Sequence, residues 1–191
     1  MNVSIISASP RKDSSSLRFT KYLQTHFTKL GHQVQIADFQ EYDLPLVGQG
    51  SLQPENLTAF QQHLISTWQA GQLVVVVLPE YNWSTSPQLI NTIHQLGSEA
   101  FKHLFGERVF AFVGVSSGRG GRIPAANISM LFSKMINFLN QYAVISPRIF
   151  EAHETPKNLD AQGNLIGNAL FEKGVTDFVQ YSLAIAQRWF R

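Results

Sequence analysis

The feature that most constrains the fold is an apolar run at residues 73–78, which leads directly into the polar segment 79–84. A short, mostly β-branched run that ends at turn-forming residues predicts a strand buried on both faces, as in a parallel sheet. In open parallel sheets, ligands bind beyond the carboxyl ends of the strands. The segment Pro79-Glu80-Tyr81-Asn82-Trp83-Ser84 is therefore a candidate binding loop.

A second candidate loop follows the predicted first strand and contains Ser9, Arg11, Ser14 and Ser16. Free amides and the positive dipole end of a following helix favour an anion there, and an arginine adds a charge-assisted bond. The loop has neither the Gly-Lys-Ser/Thr of a Walker loop nor the Gly-x-Gly-x-x-Gly turn. Serines that only cap the helix are the alternative, but the position after the first strand favours phosphate binding.

A third loop, residues 116–121, follows the predicted strand 109–113 and begins Ser116-Ser117-Gly118. Such a loop lets a ligand ring approach the main chain closely, although a flexible connector is the alternative interpretation. Arg119 and Arg122 are candidates for a second phosphate or are surface charges. The aromatic rings of the 79–84 segment suit a large polar ring, with loop packing or a subunit contact as the alternative.

Strand and helix patterns alternate along the chain, which predicts a single α/β domain over residues 1–191. The predicted strands are residues 3–7, 34–37, 73–78, 109–113 and 143–146, and helical patterns follow each of them. We expect a flavodoxin-like three-layer sandwich, with a five-stranded parallel sheet in the order 2-1-3-4-5 and helices on both faces. A polar, turn-rich segment is predicted at residues 153–167.

Composition excludes several function classes. The chain has no cysteine, which excludes disulfides and thiol catalysis, and its six histidines lack metal-ligand spacing, so no metal site is predicted. A net charge of +2 without a dense basic block argues against nucleic-acid binding. No apolar run reaches the ~20 residues of a membrane helix, and no signal peptide is evident. A cytoplasmic protein without membrane partners is the expectation.

The three loops together resemble those of the NADPH-dependent FMN reductases, a flavodoxin-like family that includes quinone, azo-dye and chromate reductases. The family pattern Ser-x-Arg-x-x-Ser is matched by Ser9, Arg11 and Ser14. Its most specific signature, Pro-Glu-Tyr-Asn-x-Ser followed by Leu-x-Asn, is matched at residues 79–84, Leu89 and Asn91. The Gly/Ser-rich loop is the third match.

The resemblance implies FMN as cofactor, with NADPH or NADH as reductant and a small electron acceptor such as a quinone, an azo compound or free flavin. It implies ping-pong hydride transfer without an obligate acid–base side chain, so no catalytic residue is predicted. It also implies a homodimer or homotetramer. The implied cofactor-binding residues are Ser9, Arg11, Ser14 and Ser16 for the phosphate, Pro79, Glu80, Tyr81 and Asn82 for the ring, and Ser116, Ser117 and Gly118 for its pyrimidine edge.

The chain departs from the family pattern near the central motif. Trp83 stands where a glycine or another small residue is common, and Ser86-Pro87 replaces Pro-Gly. Ile90 and His94 replace a lysine and an aspartate. Two rival functions stay open at this point: a non-enzymatic flavin carrier, and a binding or regulatory protein of the same fold without flavin.

Overall fold

The computed structural model describes residues 1–191 and contains a parallel sheet of six strands. The strands are β1 (Asn2–Ser7), β2 (Gln33–Asp38), β3 (Leu73–Pro79), β4 (Val109–Val115), β5 (Val144–Ile145) and β6 (Phe150–Ala152). Their order is β2-β1-β3-β4-β5, and every pair is parallel. The flavodoxin-like order predicted from the sequence is confirmed.

The edge of the sheet beside β4 differs from the prediction of one fifth strand. β5 and β6 both pair with β4, with Val144 opposite Val109 and Phe150 opposite Val113. The two pieces are separated by residues 146–149, which include Pro147. Proline lacks an N–H for the ladder and is confined to edges and breaks. The fifth strand is therefore two short segments in line, and the second was not predicted.

Five long helices flank the sheet: α1 (Ser15–Lys29), α2 (Ala59–Ala70), α3 (Pro87–Leu96), α4 (Arg122–Phe138) and α6 (Ala169–Trp189). A helix was predicted from the sequence at each of these five places. The turn-rich segment also contains a one-turn helix, α5 (Thr155–Asn158), and 3₁₀ turns span Phe39–Glu41 and Glu99–Phe105. These short elements were not predicted.

Two separate hydrophobic cores lie on the two faces of the sheet. α1 and α6 pack Phe19 and Phe178 on one face, and α2, α3 and α4 pack Trp68, Ile93 and Phe132 on the other. All residues of β3 and β4 are buried. The central strands are thus covered on both sides, which confirms the three-layer sandwich.

A buried arginine holds the end of the sheet opposite the candidate loops. Arg108 is 6% exposed and donates hydrogen bonds to the carbonyls of Trp68 (2.7 Å), Gly106 (2.6 Å) and His103 (3.0 Å). Burial lowers its pKa from 12.5 to about 10. The guanidinium satisfies carbonyls at the carboxyl end of α2, where the helix dipole favours a cation.

Candidate functional site

The loops after β1, β3 and β4 meet around one cavity of about 250 Å³. It lies at the carboxyl ends of the central strands, where an open sheet binds its ligands. Eight of the eleven predicted cofactor-binding residues line it: Ser9, Arg11, Ser14, Ser16, Pro79, Glu80, Tyr81 and Ser117. The lining does not include the other three, Asn82, Ser116 and Gly118. Lys12, Asp13, Ser15 and Val115 also line it but were not selected from the sequence.

The β1–α1 loop presents hydrogen-bond donors at the beginning of a helix. Ser14 caps α1 by accepting a bond from the amide of Leu17 (3.0 Å), and the first turn of α1 has no acidic residue. Ser16 is 1% exposed, and its hydroxyl has no hydrogen-bond partner. A buried, unpartnered hydroxyl is costly. Because Ser16 lines the cavity, a bound anion would satisfy it.

Tyr81 connects this loop to the loop after β3. Its hydroxyl lies 3.2 Å from the hydroxyl of Ser9, and the guanidinium carbon of Arg11 lies 4.5 Å from its ring centroid. Arg11 has no carboxylate within ion-pair distance. The arginine is thus held by a cation–π contact that leaves its charge available to an anion.

Residues 81–84 form a tight β-turn with two central residues, Asn82 and Trp83. The amide of Tyr81 donates to the carbonyl of Ser84 (2.9 Å), and the amide of Ser84 donates back (3.0 Å). The two central residues have positive φ, +51° at Asn82 and +67° at Trp83, as a type I′ turn requires. Trp83 is 73% exposed, so its indole is not packed against the loop.

Both ends of this turn are fixed to neighbouring strands. The amide of Glu80 donates to the carbonyl of Val115 (2.8 Å). The hydroxyl of Ser86 donates to the carbonyl of Ala8 (2.6 Å) and accepts from the amide of Leu89 (3.3 Å), which caps α3. The departure at Ser86-Pro87 therefore supplies a helix cap and a first-turn proline.

The β4–α4 loop lies very close to its neighbours. A Cβ atom on Gly114 would overlap the main chain of Gly121, whose φ is +103°, and one on Gly120 would overlap the carboxylate of Glu80. The oxygen Oε2 of Glu80 is buried without a partner. Only glycine fits where the main chains of Gly114 and Gly121 meet, whereas a larger residue at Gly120 would displace the carboxylate of Glu80. The loop is consequently held in place by backbone contact rather than being a free connector.

The two arginines of this loop lie in different surroundings. Arg122 forms an ion pair with Glu151 at 3.7 Å. Arg119 lines a separate cavity of about 450 Å³ together with His153 and Asn168. The loop itself is tied to α5 because the amide of Glu154 donates to the carbonyl of Gly118 (2.8 Å). Neither arginine lines the first cavity.

The donor set of the first cavity fits a phosphate attached to an aromatic ring system. Hydroxyls, an unpaired guanidinium and the start of α1 line the cavity together with Pro79 and the ring of Tyr81. A model of the NADPH-dependent FMN reductase family matches residues 1–147. The chain belongs to this family. FMN is therefore its cofactor, and the residues present fit it.

Relatives of this family member include a probable NADPH:quinone oxidoreductase 2 from Oryza sativa subsp. japonica, which is 29% identical over 133 residues. That match covers 69% of the chain and 62% of the relative, so the chain spans about three fifths of the length of this curated relative.

Among solved structures, the chain is similar to FerB, a flavoenzyme NAD(P)H:(acceptor) oxidoreductase from Paracoccus denitrificans. The TM-score is 0.69 with 17% identity, covering 97% of this chain and 95% of FerB. The similarity to the NADH:FMN oxidoreductase EMOB has a TM-score of 0.65 with 12% identity, and it covers 96% of this chain and 89% of EMOB. An archaeal flavodoxin gives 0.56 with 10% identity, covering both chains completely. At these identities the likeness shows the fold alone.

The FMN reductase family member has no helix that is both long and apolar enough to cross a lipid bilayer.

The individual roles of the cavity residues stay predictions. Sequence reasoning missed the bond between Tyr81 and Ser9 and the contact between Glu80 and Gly120. Only the shared position of the three loops at one end of the sheet could have indicated them.

Proposed function

We propose that this protein oxidises NADPH or NADH and passes a hydride, through FMN bound in the cavity of about 250 Å³, to a small electron acceptor. Reductant and acceptor would enter in turn, as in a ping-pong reaction. When bound, FMN supplies the hydride chemistry, and the protein supplies binding and orientation. The observation that carries the proposal is the buried, unpartnered hydroxyl of Ser16 in a cavity that the family's three loops share.

In this proposal the β1–α1 loop binds the phosphate of FMN. Ser9, Ser14 and Ser16 supply hydroxyl donors, and Arg11 supplies the charge that lacks a carboxylate partner. The amides at the start of α1 add the positive end of a helix dipole. The phosphate is therefore the part of the cofactor that this chain is best equipped to recognise.

The ring system of FMN would lie against Pro79, Glu80, Tyr81 and Asn82. Its pyrimidine edge would face residues 116–118, which α5 and β6 hold through main-chain bonds. These bonds join the amide of Ser116 to the carbonyl of Ala152 (3.1 Å) and the amide of Thr155 to the carbonyl of Ser116 (3.2 Å). The amides of Ser116 and Gly118 donate within the chain, to Ala152 and to the hydroxyl of Ser116, which leaves the amide of Ser117 to stabilise negative charge at that edge of the ring.

No side chain of the cavity is assigned as an obligate acid or base. No histidine lines it, and the carboxylate of Glu80 lies against Gly120. We infer that the chain acts by holding and orienting the reacting rings.

We propose further that residues 1–191 form a single FMN-binding domain that assembles as a homodimer or homotetramer. The supporting observation is an apolar row on α4: Ile123, Met130 and Phe138 are 48%, 63% and 65% exposed. Spacings of seven and eight residues place these three side chains along one side of the helix, which is the side that we propose another subunit covers.

An anaerobic titration of the purified protein with FMN and then NADPH, followed by visible absorbance, tests the proposal. Stoichiometric FMN uptake and bleaching by NADPH or NADH is the expected result. Uptake without bleaching by either nucleotide would indicate a flavin carrier instead. Absence of FMN uptake would leave a binding or regulatory protein of the same fold.

A further inference from the structure

The backbone at Trp83 adopts a conformation that disfavours its own side chain. Its φ of +67° lies in the left-handed region, and it occupies the second central position of a type I′ turn, where glycine is preferred. Strained residues of this kind persist when the surrounding structure holds them, and they cluster at ligand sites. A glycine here would form the same turn without strain.

The indole of Trp83 gains little from the fold in return. The side chain is 73% exposed and contributes to neither hydrophobic core. A large aromatic surface in water is unfavourable and typically meets a ligand or a partner. The residue is thus unfavourable on two independent counts, its backbone conformation and its exposure.

The turn nevertheless holds the backbone of Trp83 in place. Two reciprocal main-chain bonds close the turn between Tyr81 and Ser84. The bonds from Glu80 to Val115 and from Ser86 to Ala8 fix its two ends to the sheet. A tryptophan on a fixed backbone has only its side-chain torsions to order when it binds a second ring, so it loses little entropy.

The turn lies between the FMN cavity and a second, apolar one. Tyr81 lines the FMN cavity. Ser84 and Thr85 line a cavity of about 200 Å³, whose walls also include Ile90, Pro124, Ile128 and Leu131. Thr85 is 6% exposed, and its hydroxyl has no partner. An aromatic molecule that carries a polar group matches this combination of surfaces.

We propose that Trp83 is a stacking surface for a planar aromatic electron acceptor of the quinone class and thereby determines acceptor specificity. The inference rests on the proposed function, because it places the acceptor at the mouth of the FMN cavity. It predicts that aromatic acceptors depend on the indole and that compact inorganic acceptors do not.

The test compares the wild-type holoprotein with Trp83→Gly and Trp83→Phe. Each is reduced with dithionite under anaerobic conditions and mixed in a stopped-flow instrument with menadione or ferricyanide. Tyr142→Ala is the matched control, because Tyr142 is 71% exposed and lies beside Glu107, at the opposite end of the sheet.

We expect Trp83→Gly to lower the second-order rate constant with menadione by roughly tenfold, the scale of one aromatic stacking contact. The rate with ferricyanide should not change, Trp83→Phe should restore most of the menadione rate, and Tyr142→Ala should match wild type. Equal menadione rates in wild type and Trp83→Gly would overturn the inference. So would equal slowing with both acceptors, which together with a changed elution volume would identify Trp83 as a subunit contact.

Chemical reduction separates this test from that of the proposed function. If NADPH and NADH fail to bleach the wild-type protein but menadione oxidation still depends on Trp83, the proposed reductant is wrong and the inference stands. A protein that takes up no FMN overturns both.

Discussion

The hydroxyl oxygens of Ser9 and Tyr81 lie 3.2 Å apart and join two loops that are 72 residues apart in the chain. Arg11 lies over the same tyrosine ring at 4.5 Å. One side chain thus positions both a hydroxyl and a guanidinium of the proposed phosphate site. The loop after β3, to which we assign the ring site, thus also positions side chains of the proposed phosphate site.

Replacing Tyr81 with phenylalanine should weaken FMN binding by a few fold. The substitution removes the bond to Ser9, worth about 1 kcal/mol for a neutral pair, and keeps the ring beneath Arg11. Quenching of FMN fluorescence measures the dissociation constant. Tyr81→Ala should cost more because Arg11 then loses its support. Equal affinities for wild type and Tyr81→Phe would mean that the bond to Ser9 does not position the phosphate site.

Replacing Ser16 with alanine should weaken FMN binding by roughly ten- to a hundredfold, the value of a hydrogen bond to a charged group. The same change should leave riboflavin affinity nearly unaffected, because riboflavin lacks the phosphate. Thr20→Ala is the matched control: its hydroxyl is also buried and unpartnered, but Thr20 does not line the cavity. If both variants lose FMN affinity equally, the role assigned to Ser16 is wrong.

The sequence predicted the three loops because their signals are local. A buried strand reads as an apolar run, and a loop at its carboxyl end reads as a polar or glycine-rich stretch. A turn was predicted within residues 79–84, but not its type I′ geometry at Asn82 and Trp83, because such turns are identified by Asn-Gly and a tryptophan gives no such signal. The contact of Glu80 with Gly120 depends on tertiary packing, which no local pattern encodes.

Replacing Trp83 with glycine should raise the free energy of unfolding by about 1 kcal/mol, through relief of the left-handed backbone conformation. Urea denaturation of the apoprotein measures this change. Asn82→Gly is a useful comparison, since asparagine tolerates the same region and should gain less. A lower stability for Trp83→Gly would mean that the indole makes a stabilising contact, contrary to its exposure.

The protein should lose stability as the pH falls below about 6.5, the ordinary pKa of histidine. Burial lowers the pKa of His26, His32 and His103 in the folded chain. Between the lowered values and 6.5 the unfolded chain binds more protons, so stability is present above this window and is lost on descending through it. Burial raises the pKa of Asp38 above 3.8. Between 3.8 and the raised value the folded chain binds more protons than the unfolded chain, so the effect of Asp38 on stability is opposite to that of the histidines.

Urea denaturation at about pH 7.5 and about pH 5.5 measures this dependence. His26→Gln should reduce the difference in the free energy of unfolding between the two pH values. The contribution of Asp38 should not change. An unchanged difference would show that His26 titrates alike in the folded and unfolded chains.

Replacing Arg108 with methionine should lower the free energy of unfolding by about 3 kcal/mol, because the carbonyl of Gly106 loses its donor and those of Trp68 and His103 each lose one of two. Arg108→Lys should recover only part of the loss, since an ammonium lacks the forked geometry of a guanidinium. Thermal unfolding followed by circular dichroism gives the values. A decrease in the free energy of unfolding smaller than about 0.5 kcal/mol, the scale of a surface substitution, would contradict this structural role.

The role of Arg108 could not be predicted from the sequence, for a physical reason. A single charged residue before a buried strand is ordinarily read as the exposed start of that strand. Its partners are main-chain carbonyls on α2 and on the 3₁₀ turn Glu99–Phe105, whose positions follow from packing. By contrast, the sequence predicted a helix from about Pro87 to Leu96, and α3 has these bounds.

The division of the edge strand at Pro147 bears on how this protein behaves at high concentration. A long, regular edge offers a row of unpaired amides and carbonyls to which a strand of another molecule can add. Here that edge consists of segments of two and three residues separated by a proline. Neither is long enough to template the growth of a continuous intermolecular sheet. The interruption that made β6 hard to predict from the sequence thus also protects this edge of the sheet from strand addition by another molecule.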